Sequence, residues 1–205
     1  MSAHRASAWA ALPDGITAAG FALVWLFPFA LDELSVKTAL LVMVLEFFLI
    51  HAIGFFTAIG GSPKIRRVWR MLAMAGLTLF YLAMVGAFAW SFGETWPVLA
   101  FLWLAVGKAA WAWGTRPGAG AGGDDAMAMP MVAWAGSVVA YIFGAFATLL
   151  LPLPRLGMTQ EVQPRFGLDG GGVWIDEPHR VVAFGLVYFS LLCAAKLLMA
   201  RQPKA

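Results

Sequence analysis

The 205-residue chain holds no asparagine, one cysteine and three histidines, and only 12% of its residues are charged. Without asparagine there is no N-glycosylation sequon, and few amide side chains remain to orient a polar ligand. One cysteine, Cys193, excludes an internal disulfide, a CxxC redox centre and a cysteine-based zinc site. Three histidines, of which His4 and His179 lie outside the apolar stretches, exclude bis-histidine haem ligation and hydrolases built on an intramembrane histidine triplet. Half the usual share of charge cannot cover a water-soluble particle of this size, since soluble domains carry about 25%.

What is present is apolar. Hydrophobic residues make up 61% of the chain, and the mean hydropathy is +0.80. The expected fold is all-α: a polytopic transmembrane bundle of about six spans, forming a single integral membrane domain over residues 1–205. The spans are expected near 16–31, 38–59, 68–92, 96–113, 127–151 and 181–200, each ended by charge, proline or glycine. Continuous apolar runs favour helices, because a lipid-facing backbone must satisfy its own hydrogen bonds. They lack the alternation of a membrane barrel. The first span is entered through Leu12-Pro13-Asp14-Gly15 and stopped by Asp32-Glu33; no small-x-small cleavage site follows it, so it reads as retained rather than as a signal peptide.

Basic residues orient the bundle. Lys64, Arg66, Arg67 and Arg70 fall in one connection, and placing it in the cytoplasm puts Arg5, Arg116, Arg201 and Lys204 there too. Lys37, Arg155, Arg165 and Arg180 then lie outside, a bias that predicts both termini in the cytoplasm of a bacterial-type inner (plasma) membrane. Lys108 and Lys196 sit toward the inner ends of their spans, where long stems reach water. The connection 114–126 is a glycine-rich linker; its GxGxxG match lacks the preceding strand that a dinucleotide site needs. The outer loop 154–180 is longer than most connections, and Phe166, Val173, Trp174 and Ile175 give it apolar surface to fold back on the bundle mouth.

Glu46 is the first candidate for chemistry. It lies ~12 Å into its span, where a carboxyl costs about 2.5–3.5 kcal/mol unless protonated, paired or wetted. It reads either as a proton- or cation-handling group facing a polar cavity or as a protonated structural residue. His51 stands ~140° around the same helix, so the two do not share a face. It reads as a ligand or relay, or as a neutral ring satisfied by a carbonyl or by Tyr81, Tyr141 or Tyr188; the latter is favoured because one histidine makes no metal site.

The outer sequence Asp176-Glu177-Pro178-His179-Arg180 offers weak metal candidates in Asp176, Glu177 and His179, with Glu161 and Asp169 in the same loop. Acid followed by proline is also how a helix starts, and that reading explains the order of residues as well as their types. Gly136-Ser137 lacks the glycine and histidine of an intramembrane serine protease. Gly136, Ala140, Gly144 and Thr148 repeat every four residues, spacing that lets two helix backbones approach, as an internal seam or a homodimer face.

The run from Glu46 through His51 to Phe56 and the final span from Arg180 through Lys196 resemble uncharacterised bacterial polytopic inner-membrane families. The resemblance covers two spans and implies no known activity. The sequence thus leads first to a small transport or proton/ion-coupled protein using Glu46 and His51. A non-catalytic membrane subunit or assembly partner comes second. An intramembrane enzyme comes third, because no nucleophile–base pair or ligand set can be assembled. The partners implied are the lipid bilayer and a second membrane protein or copy of the chain; nucleic acid and cofactors are not implied.

Overall fold

The structure is a computed structural model, and it describes residues 3–32, 34–61, 65–103 and 124–201. The described residues are helical, with no strand among them: α1 (Ala3–Leu26), α2 (Ser35–Gly61), α3 (Arg67–Phe92), α4 (described over 96–103), α5 (Asp124–Leu150), a 3-10 turn (Gln163–Phe166), the short α6 (Val173–Asp176) and α7 (Pro178–Arg201). The linker 114–126, the inner half of the fourth expected span, and Lys108 and Arg116 with them, fall largely or wholly outside the described residues.

Among the described residues, three helices are long and apolar enough to cross a membrane: Ser35–Ile59, Arg67–Phe92 and Pro178–Leu198. Shorter apolar stretches run over Ala11–Leu26 and Trp134–Leu150. In α3 only 17% of the most apolar window is buried, and Trp90 is 89% exposed. A helix that is apolar and yet uncovered by protein is what a lipid solvent selects.

The first helix differs from its expected bounds at both ends. It runs through Pro13-Asp14-Gly15, which read as its entry, because α7 packs along that stretch. Lys196 Nζ lies 2.5 Å from Asp14 Oδ2, and a Cβ at Gly15 would meet Cys193 Sγ at 3.3 Å. The Thr17 hydroxyl donates to the Pro13 carbonyl at 2.9 Å, within the same turn. The helix stops at Leu26 rather than Leu31. Pro28 has no N–H to continue the ladder and disfavours helical geometry at Phe27.

The chain divides into two compact units, Met1–Met43 with Ala140–Ala205, and Val44–Val139. In the first, α1 and α7 run antiparallel, with Asp14 beside Lys196 and Phe21 stacked on Phe189 at 5.7 Å between ring centroids. The end of α5 also packs antiparallel to α7, placing Tyr141 against Tyr188 and Phe184. In the second, Leu45, Phe48, Ala52 and Phe56 of α2 form a core with Met74, Tyr81 and Val85 of α3 and Phe101 of α4. Their spacing of three and four residues makes one stripe of α2. Gly93, left-handed at φ 67°, ends α3, and the N–H groups of Gly93 and Glu94 donate to Trp90 and Ala89.

Candidate functional site

Glu46 and His51 flank the α2 core stripe on opposite sides. At ~100° per residue, Glu46 is turned one way from Leu45 and Phe48, and His51 the other. Glu46 is half-buried and does not stand without a partner. His51 Nδ1 lies 2.7 Å from the Phe47 carbonyl, and its ring packs on Phe47 at 4.4 Å. A carbonyl only accepts, so Nδ1 carries a proton and donates it to the Phe47 carbonyl.

The small-residue stripe on α5 serves different ends along its length. A Cβ added at Gly136 meets nothing within 4 Å, whereas one at Gly144 would lie 2.6 Å from the buried Phe184 ring. Ala140 is half-buried. The Thr148 hydroxyl, buried, bonds the Gly144 and Ala145 carbonyls of its own helix at 3.0 Å. Gly144 therefore receives an aromatic ring rather than a second backbone. Gly185 does the same for Phe21, and Gly54 for Trp134. The Trp134 indole N–H also donates to the Ile50 carbonyl at 2.8 Å. The sequence carried no spacing signal for these pairs, since glycine and aromatic lie on different helices. Ser137 donates to the Trp134 carbonyl of its own helix at 2.7 Å.

Residues 154–180 build a polar network of their own. The Glu177 carboxylate accepts from Arg180 Nε on one oxygen and from Arg155 Nη2 at 3.4 Å on the other. Arg155 Nη1 donates to Gln163 Oε1 at 3.2 Å, and Gln163 Nε2 donates to the Asp176 carbonyl at 2.7 Å. The Arg180 bond, together with the nearby cations, holds the Glu177 carboxyl below its ordinary range. The same guanidinium donates through Nη1 to the carbonyls of Thr148, Leu149 and Leu151, capping the C-terminus of α5. Charge counting along the sequence gave Arg180 only a topological part.

The loop is also stitched to α1. Trp25 Nε1 donates to the Pro154 carbonyl at 3.1 Å, and the Gly157 N–H donates to the Trp25 carbonyl at 3.1 Å. Phe166 and Met158 are fully buried, Phe166 lies against Phe29, and the Arg165 guanidinium covers the Phe29 ring at 4.2 Å. Val173 instead stays largely exposed.

The three weak metal candidates are placed apart in role. Asp176 accepts the Gly172 N–H at 3.2 Å, Glu177 is taken by two arginines, and His179 is buried with no partner at Nδ1. Among the described residues no three His, Cys, Asp or Glu side chains gather as a metal ion requires. Compared with known proteins, the chain matches no family model, no curated protein and no solved structure.

Proposed function

We propose that the chain is an integral protein of a bacterial-type inner membrane, with about six spans and both ends in the cytoplasm. Its activity is small-solute transport or proton/ion coupling, with Glu46 as the working carboxyl. The observation that carries this reading is a half-buried glutamate near the middle of α2, the most apolar of the three long helices. Carboxyls at such depth serve ion and proton pathways often enough to make function the default reading. The antiparallel pairing of α1 with α7 supports an even number of passes, since the start of one lies beside the end of the other.

His51 supports the relay reading less, because Nδ1 is bound within its own helix turn. The test is Glu46→Gln in reconstituted vesicles, read by infrared difference spectroscopy between pH 5 and 9. A carboxyl band that titrates in the wild type and vanishes in the variant is the expected result. A band that stays protonated throughout overturns proton exchange.

A second reading, a membrane subunit or assembly partner, is favoured by one face of α5. Phe143, Phe146 and Leu150 stand 69%, 62% and 84% exposed at steps of three and four residues. A crosslinked dimer through Phe146→Cys in native membranes would select it over lipid contact.

A further inference from the structure

In the first unit, α1, the turn after it and the start of α2 enclose an open pocket of about 210 Å³. Gly20, Phe21 and Val24 line it from α1, and Ala39 and Val42 from α2, with Thr17 and Thr38 beside them, so each helix offers a largely apolar face. The α1 wall runs from Val24 down to Thr17, a length of ~10 Å. The volume lies below the ~300–1,000 Å³ of sites for drug-sized ligands. It suits one alkyl segment.

Two features define its ends and its room. A Cβ at Gly20 would meet nothing within 4 Å, so the glycine leaves space that no other side chain fills. Asp32 stands exposed at the turn end beside the exposed Leu31. One of its carboxylate oxygens accepts from the Ser35 hydroxyl at 2.9 Å, and among the described residues no cation pairs with it.

We propose that this pocket binds the alkyl chain of an amphiphile whose head carries an amine, the chain lying between α1 and α2 and the amine at Asp32. Apolar walls select the chain, and the carboxylate at the mouth selects a head that carries an ammonium group over one that carries only negative charge. The site shares no residue with Glu46 or His51, so its failure leaves their reading untouched.

The experiment is native mass spectrometry of the full chain in a non-ionic detergent. The ligands are lysophosphatidylethanolamine and lysophosphatidylglycerol of equal chain length. A one-to-one adduct is expected, favouring the amine head by about fivefold, the scale of an exposed ion pair. Gly20→Leu and Thr38→Phe, which fill the pocket from opposite walls, should lose the adduct at an unchanged melting temperature. Asp32→Asn should keep an adduct and bind both heads equally. No adduct with the wild type, equal binding of both heads by it, or an adduct retained by either folded filler overturns the proposal. If neither filler folds, a head preference that survives Asp32→Asn overturns it.

Discussion

Gly144 and Gly157 are glycine for different reasons, and substitution separates them. At Gly144 the obstacle is the Phe184 ring, 1% exposed and held by Tyr141 and Tyr188. Gly144→Leu should destabilise by about 1–3 kcal/mol through overpacking, read as a lower melting temperature in detergent. An unchanged value would mean that Phe184 has room to move. At Gly157 the obstacle is backbone, since a Cβ would lie 2.1 Å from the Leu26 carbonyl oxygen. Gly157→Ala should therefore pull the loop off α1 and raise amide exchange at residues 156–158, while α7 stays protected. Equal protection in both proteins would contradict the close approach. The four-residue period singled out Gly144 in the sequence, but as a place for a second helix backbone rather than for a ring. Nothing local marked Gly157, whose neighbour is a carbonyl 131 positions earlier in the chain.

Among the elements, the segment 154–180 is held in part by Arg180 and Glu177. Arg180→Gln removes the ion pair and the cap on α5 together, and should cost about 1–3 kcal/mol from carbonyls left unsatisfied. Arg180→Lys keeps the charge but not the fork, so it should recover only part of the loss. The Glu177 carboxyl has a lowered folded pKa, caused first by its bond to Arg180. Its contribution is fully present above the ordinary carboxylate value of 4.5 and disappears as pH falls through the lower folded value. The part of the amide protection of residues 154–180 that Glu177 supplies should thus be flat from neutral pH to about 5 and decline in stronger acid. Glu177→Gln should remove that acid-dependent step; a step of equal size in the variant would assign it to another group. Helices α2, α3 and α7 were legible from continuous apolar runs. The start of α1 was not, because Pro13, Asp14 and Gly15 are local breakers whose effect α7 overrides through Lys196 and Cys193.

For the molecule as a whole, composition alone pointed to a lipid solvent, and the exposed apolar flank of α3 fits that solvent. Reporter fusions after Pro63, Gly122 and the carboxyl end should read cytoplasmic, and fusions near Asp169 external. An external carboxyl end would remove one span from the proposed six. The site was less legible than the fold, because the wheel position of Glu46 can be counted from sequence but its surroundings cannot. The pairing of α1 with the last third of the chain bears on the order of manufacture. Trp25 and Pro154 are bonded across 129 positions, and Asp14 finds its lysine only at Lys196. Elongation at ~5–20 residues per second leaves the newly made α1 without these partners for ~6–36 s. During that interval its acidic group and its uncapped carbonyls must be sheltered by the insertion machinery, by headgroup water or by a chaperone. A ribosome stalled before Pro154 would hold α1 in that state.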